Sequence, residues 1–142
     1  MSEALELAAQ AGSAGEVPIG AIVVIDGQIV GRGYNSPIGS IDPSAHAEIN
    51  ALRDAATNTG NYRLPGATLV VTVEPCTMCA GALVHARVQQ LVFGTREPRA
   101  GAICSSQQVL DNPELNHRVD VIEGVMAVQC RALMTEFFRA RR

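Results

Sequence analysis

ATLVVTVEPCTMC, residues 67–79, is the stretch on which the fold prediction rests. Its first half, Ala67–Val73, has the continuous apolar and β-branched character of a strand that is buried on both faces of a sheet. Pro75 follows, and proline is well suited to the first turn of a helix, so we expect a helix from Pro75 to about Ala86. A buried strand that leads directly into a helix indicates an α/β domain.

Strand and helix patterns alternate on both sides of this stretch. Asp26-Gly27, between two β-branched runs, is a strong hairpin signal. Asp42 and Ser44 are both plausible N-caps for a helix over residues 45–56. The other expected elements are a helix at 3–11, hairpin strands at 19–25 and 28–35, strands at 88–93 and 119–122, a short helix at 105–110, and a last helix at 125–139 with Val125, Val128, Leu133 and Phe137 facing inward.

Length and composition predict one globular domain over residues 1–142. The chain weighs 15.0 kDa, and its residues are 47% hydrophobic and 18% charged. Its longest unbroken apolar run, Ala21–Ile25, is too short to cross a bilayer. The first ten residues carry no basic residue, which argues against a secretory signal or a transit peptide. We therefore expect a cytoplasmic protein without membrane contact, whose four cysteines are thiols or metal ligands.

Charge is unevenly distributed along the chain. The net charge is −3, but residues 61–142 hold nine arginines and seven acids, against two arginines and seven acids in residues 1–60. Arg96 and Arg99 form a small basic patch, and the C-terminal FFRARR forms a larger one. Arginine recognises phosphates well, but biased codon usage explains the absence of lysine equally well. The charge alone therefore neither favours nor excludes an RNA partner.

Cys76 and Cys79 lie three residues apart at the start of a predicted helix, where both sulfurs can meet one metal ion. His46, at the start of another predicted helix, is the candidate third ligand. Three protein ligands with one open position are typical of catalytic zinc, whereas structural sites have four. The open position can hold a water whose pKa the ion lowers. The pattern therefore predicts one catalytic Zn²⁺ per subunit.

Glu48 follows His46 by two residues. On a helix this spacing turns the two side chains about 200° apart, which makes them a poor chelating pair. It suits a carboxylate that moves protons to and from the bound water and the substrate. Glu48 is therefore the candidate catalytic residue.

Each motif also has a less specific interpretation. A lone His-x-Glu is usually structural, and a lone Cys-x-x-Cys after a strand can be a redox pair. We interpret Cys104 and Cys130 as packed thiols, and His85 as pointing away from the ion. His117 is either a surface residue or a structural hydrogen-bonding group.

HAE at 46–48 with PCTMC at 75–79 matches the zinc deaminase signature, His-x-Glu followed by Pro-Cys-x-x-Cys. Nearly the whole chain, beyond this signature, resembles the bacterial tRNA-specific adenosine deaminases. The resembling stretches are GEVPIGA at 15–21, YNSPIG at 34–39, DPSAHAEINAL at 42–52, NYRLPGATLVVTVEPCTMCAGALVHAR at 61–87, VFGTREPRAGA at 92–102, NHRV at 116–119 and FFRARR at 137–142.

The resemblance implies a cytidine deaminase-like fold, a three-layer α/β/α sandwich around a five-stranded mixed sheet. It also implies a homodimeric hydrolase that uses a zinc-activated water. The implied substrate is the wobble adenosine of a tRNA anticodon stem-loop, mainly of an arginine tRNA, and the product is inosine. His46, Cys76 and Cys79 match the zinc ligands, and Glu48 matches the proton shuttle. The residues that would contact the substrate are Asn35, the Ala47 backbone, Glu97, Arg99, Arg139 and Arg141.

Two departures from the family pattern are visible. The first helix is short at its N-terminus, and Glu97 stands where relatives often carry Asp. Two rival functions also follow from the sequence. A deaminase of a free base or nucleotide would lack an RNA-binding C-terminal helix, and FFRARR counts against it. The second rival is a structural zinc or redox module without deaminase activity. One zinc per chain with a water-accessible site would argue against it, and so would loss of activity without loss of zinc when Glu48 is replaced.

Overall fold

The computed structural model describes residues Met1 to Arg142 as a five-stranded sheet with helices on both faces. The strands are β1 (Gly20–Ile25), β2 (Gln28–Tyr34), β3 (Thr68–Val73), β4 (Gln90–Thr95) and β5 (Asp120–Glu123). The helices are α1 (Ser2–Ser13), α2 (Pro37–Ser40), α3 (Ala47–Thr59), α4 (Thr77–His85) and α5 (Ala127–Arg139), with a 3₁₀ turn at Val109–Asp111. No helix is long and apolar enough to cross a membrane.

The sheet is mixed, in the order β2-β1-β3-β4-β5. β1 pairs antiparallel with β2 and β3, while β3–β4 and β4–β5 are parallel. The β1–β2 turn has positive φ at both Asp26 and Gly27, as a two-residue hairpin turn requires. The expected five-stranded mixed sheet and the hairpin are therefore confirmed.

The two faces of the sheet carry separate cores, which gives the expected three layers. Alternate residues such as Val23 and Val71 pack with the buried alanines and leucines of α3 and α4. Their neighbours Ile22 and Val70 pack on the opposite face with Leu7 of α1. α5 covers β3 and β4 on that second face, beside α1. The period of two along each strand thus separates an α3–α4 layer from an α1–α5 layer.

Glycines let α3 lie directly on the backbone of β2. A Cβ at Gly33 would collide with the Ala47 carbonyl oxygen and the Ala51 nitrogen, and one at Gly31 would collide with the backbone of Ala51 and Ala55. Only glycine permits so close an approach. This contact fixes the first turn of α3 over the sheet.

Several expected boundaries are wrong in detail. α3 begins at Ala47 with His46 as its N-cap, because Asp42 instead accepts hydrogen bonds from the backbone and hydroxyl of Ser44 in a local turn. α4 begins at Thr77, two residues after Pro75. Val128 is 78% exposed rather than facing inward, and Cys130 is the one fully buried residue of α5.

Candidate metal centre

Two strand-to-helix junctions meet at one edge of the sheet. β2 and β3 both pair antiparallel with β1, so they run in the same direction and end at the same edge. After β2 the chain passes through the short helix α2 and enters α3 with His46 as N-cap, and after β3 it enters α4 with Cys76 as N-cap. This topology brings together His46 and Cys76, which are thirty residues apart in sequence.

The three expected ligands form a compact triangle. His46 Nδ1 lies 3.6 Å from the sulfur of Cys76 and 3.6 Å from the sulfur of Cys79. Tetrahedral zinc, with bonds of about 2.3 Å to sulfur and about 2.05 Å to nitrogen, requires a sulfur–nitrogen separation of about 3.5 Å. All three donor atoms lie within 4.8 Å of one another, and they offer the nitrogen and sulfur chemistry that zinc prefers. The residues present therefore fit a zinc ion.

The two thiols differ in their affinity for protons. The hydrogen bond with Cys79 lowers the pKa of Cys76 to about 4, against the opposing effect of burial. The same hydrogen bond and burial raise the pKa of Cys79 well above its usual range. The pair thus holds one proton at neutral pH, and a metal ion that takes both sulfurs displaces it.

Glu48 lies beside this triangle on the buried side of α3, with only 4% of its surface exposed. Burial raises the pKa of its carboxyl to about 7, and the negative charge of Cys76 acts in the same direction. The carboxyl is also within hydrogen-bonding reach of Cys79. A carboxyl group with this pKa can both hold and release a proton near neutrality, which suits acid–base chemistry.

Asn35 joins the end of β2 to the start of α3. Its Oδ1 accepts a hydrogen bond of 2.8 Å from the Ala47 backbone N–H, and its side chain is buried. Because that N–H can only donate, the bond fixes which end of the carboxamide faces α3. The Nδ2 group is left without a partner in the chain and is not sequestered from solvent. Asn35 and Ala47 are therefore brought together with His46 and Glu48, and Asn35 offers a free donor there.

Glu74 is a functional candidate that the sequence analysis missed. Its buried carboxylate accepts hydrogen bonds from the backbone N–H groups of Glu97 (3.0 Å), Ile103 (3.1 Å), Cys104 (2.7 Å) and Ser105 (2.9 Å), and from the Ser105 hydroxyl. Burial alone would raise the pKa of Glu74, but these bonds hold it below its usual value. One side chain thus anchors the 97–105 loop next to Cys76. The sequence did hold a signal for Glu74, namely an acidic residue directly after a strand predicted to be buried. A buried charge must be paired, so a partner segment could have been expected.

Glu74→Ala is expected to lower the free energy of unfolding by at least about 2 kcal/mol, because several loop N–H groups lose their acceptor. Chemical denaturation measures the loss, and trypsin reports the loop directly through cleavage after Arg99. The control is Glu123→Gln, which removes an exposed carboxylate paired with Arg96 and should change stability much less. Equal stability of the Glu74 and Glu123 variants would contradict the anchoring role.

The residues expected to contact RNA are dispersed. Glu97 lines a cleft of about 480 Å³ together with Phe138 and Arg142 of the C-terminal segment. Arg139 faces a different surface of α5, and the Arg141 guanidinium lies 3.5 Å from the centre of the Phe137 ring. Arg99 is exposed in the anchored loop. The structure therefore brings Glu97 close to one C-terminal arginine, Arg142, and not to Arg139 or Arg141.

The remaining cysteines and histidines lie outside the triangle. Cys130 packs under Gly94, and Cys104 is half-buried. His117 Nε2 lies 2.7 Å from the Val88 carbonyl oxygen, which confirms a structural role. His85 is exposed at the far end of α4.

Comparisons with known proteins agree with this geometry. The family model of the MafB19-like deaminases matches residues 1–142. The whole chain is 49% identical to a tRNA-specific adenosine deaminase of Haemophilus influenzae and covers 83% of it. A solved structure from a study of A-to-I editing by tRNA:A34 deaminases at the wobble position superposes with a TM-score of 0.91 at 41% identity, over 94% of this chain and 96% of that one. A guanine deaminase from Nitrosomonas europaea superposes with a TM-score of 0.79 at 26% identity, over 96% of this chain and 81% of that one.

Proposed function

The chain belongs to the tRNA-specific adenosine deaminase family, and on that basis we propose that it converts the wobble adenosine of a tRNA anticodon loop to inosine. The reaction replaces the amino group on the purine ring with a carbonyl oxygen from water and releases ammonia. The observation that carries the proposal is the His46–Cys76–Cys79 triangle with Glu48 beside it, in a chain 49% identical to a relative of that name. We propose an arginine tRNA as the main substrate, from the family resemblance.

His46, Cys76 and Cys79 would hold one zinc ion in each chain. When bound there, zinc lowers the pKa of a coordinated water so that it becomes a nucleophile at neutral pH. The chain supplies the ligands in order: the imidazole from the N-cap of α3, and the sulfurs from the N-cap and first turn of α4. Helix N-termini favour thiolates, which supports Cys76 and Cys79 in this role.

Glu48 would carry the protons. It takes one proton from the attacking water and gives it to the ring nitrogen beside the amino-bearing carbon. It then takes the second proton from the added hydroxyl group and delivers it to the departing amino group, which leaves as ammonia. Burial keeps competing water away from its carboxyl. The Asn35 amide would hold the nucleoside against the start of α3, with the Ala47 backbone next to the base.

RNA would be recognised outside this centre, because zinc and one carboxylate cannot by themselves choose a base. The target adenine would be flipped out of the anticodon loop. Glu97 and Arg99 in the loop anchored by Glu74, and Arg139 and Arg141 at the C-terminus, would contact the flanking nucleotides.

We further propose that residues 1–142 act as one deaminase domain in the cytoplasm, as a homodimer. The family resemblance supports the dimer, and so do exposed apolar side chains such as Ile38 (74% exposed) and Ile41 (92%). Light scattering that gave only a 15.0 kDa species at micromolar concentration would contradict it.

A side-by-side kinetic assay tests the substrate. We expect an anticodon stem-loop with a wobble adenosine to be deaminated, and free adenosine, cytidine and guanine to be poor substrates. Arg139, Arg141 and Arg142, changed together to Gln, should weaken stem-loop binding and flatten its salt dependence, because fewer counterions are released. Zinc content is the control and should not change. Faster turnover of any free compound than of the stem-loop would overturn the tRNA assignment and leave the deaminase assignment standing.

A further inference from the structure

We propose that Glu16 is a positioning residue for the deamination, whose carboxylate holds the segment 36–45 in the conformation that binds the target nucleoside. This segment joins β2 to α3, and Asn35 and His46 stand directly at its two ends. The inference rests on the proposed function, in which Asn35 holds the nucleoside. It gives the connection between α1 and β1 a part in substrate binding.

The end of α1 fixes the backbone of Glu16. Gly15 has a φ of +82°, and its N–H donates to the Gly12 carbonyl oxygen at 3.1 Å. The Glu16 N–H donates to the Ala11 carbonyl oxygen at 2.9 Å. These two bonds form a Schellman motif, which ends a helix at a left-handed residue. β1 follows and starts at the edge of the sheet where β2 ends, so Glu16 lies on a rigid connection close to the metal-centre edge.

The Glu16 carboxylate caps α2, which has no side-chain cap of its own. Ser36 is the N-cap residue of α2, but its hydroxyl oxygen accepts hydrogen bonds from the side chains of Ser40 and Asn50 instead of a backbone N–H. Glu16 Oε1 accepts the Gly39 N–H at 2.8 Å, from twenty-three residues away in sequence. Gly39 is the third residue of α2, whose N–H an N-cap side chain ordinarily takes. A carboxylate from another segment therefore sets where α2 lies.

Glu16 is a buried carboxylate with little to compensate it. Only 3% of its surface is exposed, and none of the ion pairs in the chain includes it. The Gly39 N–H is its one hydrogen-bond donor in the chain. A buried carboxylate with a single partner costs the fold stability. Departures of this kind from optimal stability are typical of functional positions, which supports a role in binding rather than in folding.

The segment that Glu16 holds contains a strained residue. Ile41 directly follows α2 with a φ of +50° and a ψ of 48°, a left-handed conformation that is rare for a β-branched side chain. Its side chain is 92% exposed, so burial does not hold it there. Of the residues in α2, only Gly39 hydrogen-bonds outside the segment, and its partner is Glu16. Strain of this kind persists only where the surroundings enforce it.

Loss of the Glu16 bond should weaken substrate binding and leave the chemical step unchanged. Without its cap the segment occupies further conformations, and the apparent affinity falls by the fraction of time spent in the competent one. Once the nucleoside is bound, the segment is in place again. His46 and Glu48 then act as they do in the unmodified protein.

The test is single-turnover deamination of a wobble-adenosine stem-loop, with the full chain in excess over RNA. We expect Glu16→Ala to raise the half-saturating protein concentration about 10-fold, as the loss of one hydrogen bond to a charged acceptor allows, with little change in the maximal rate. Glu16→Gln keeps the acceptor oxygen without the charge and should restore most of the affinity. Glu16→Asp keeps the charge but is one methylene too short, so it should behave like the Ala variant.

Two further measurements accompany the kinetics. Hydrogen exchange of the Gly39 N–H, followed by NMR, should be faster in the Ala and Asp variants than in the Gln variant. Zinc content should stay the same in all of them. Asp54→Ala is the matched control, because the Asp54 carboxylate also accepts one backbone N–H from a distant segment, that of Arg32 at 2.9 Å. It should leave the half-saturating concentration and the maximal rate unchanged.

Each other outcome overturns the inference. A fall in maximal rate at unchanged half-saturation would place the effect of Glu16 in the chemical step. Equal losses in the Gln and Ala variants would show that charge matters and not the bond to Gly39. An equal loss in the Asp54 variant would show general loosening of the fold, and a changed molecular mass would make the segment a contact between subunits.

The proposed function can fail separately. If the unmodified protein deaminated a free base or nucleoside but not the stem-loop, the tRNA assignment would fall, and the same comparison of variants on that compound would still decide the role of Glu16. Normal stem-loop turnover by the unmodified protein, with unchanged half-saturation in the Ala and Asp variants, would remove only the inference.

Discussion

Glu48→Gln is expected to lower turnover of a wobble-adenosine stem-loop by about 10²–10⁴-fold, because the amide cannot exchange protons with water, ring nitrogen or leaving group. Because Glu48 would serve several proton transfers, we expect the loss of turnover to lie at the upper end of this range or beyond it. The change keeps the size of a side chain that is only 4% exposed, so the fold should persist. Single-turnover kinetics on the stem-loop, with zinc measured in the same preparation, separates loss of chemistry from loss of the metal.

The control for this change is Glu114→Gln, which removes an exposed carboxylate far from α3 in sequence. It should leave turnover and zinc content as they are. Turnover of the Glu48 variant within a few-fold of the unmodified protein would refute its role as proton shuttle. If the zinc content fell along with turnover, Glu48 would instead have the role of stabilising the metal ligands.

Cys76→Ala is expected to reduce bound zinc from one ion per chain to a small fraction and to abolish deamination. Only two protein ligands remain in this variant, whereas a catalytic zinc site has three. Elemental analysis after dialysis against metal-free buffer measures the loss. The unmodified protein should also unfold at a higher temperature with zinc than with a chelator, since a ligand present at 100 times its Kd stabilises a fold by about 2.7 kcal/mol.

Cys104→Ala is the matched control for this change. It removes a half-buried thiol that lies outside the triangle, so the zinc content should stay at one per chain. Full zinc in the Cys76 variant would overturn the ligand assignment.

The sequence predicted best those features that depend on few residues close together. Asp26-Gly27 specified the hairpin because a two-residue turn has one favoured geometry. The short apolar run of β3, Thr68–Val73, specified a central strand because a strand of that length can be buried on both faces of a sheet. The metal triangle is an exception, because His46 lies thirty residues from Cys76, and it was predicted through the deaminase signature that His46, Cys76 and Cys79 match.

The features that the sequence did not predict depend on how particular segments pack or hydrogen-bond in the folded chain. The first turn of α3 was misplaced because Asp42 has two local partners, the helix and Ser44, and the sequence does not rank them. Glu74 was missed because its partners lie more than twenty residues away in the 97–105 loop. Val128 was assigned to the core because the periodicity of α5 does not reveal how little of that helix the sheet covers.

The meeting of two helix N-termini at one sheet edge also sets the order of events during folding. In a zinc finger the ligands lie near one another along the chain, so the ion itself can nucleate the structure. Here β1 lies between β2 and β3 in the sheet, so the strands that precede His46 and Cys76 are held together through β1. We therefore expect the zinc ligands to converge late, after the slow, long-range pairing of the sheet. Metal capture in this fold requires a finished sheet, and a fragment that ends before β3 has no site with which to compete for zinc.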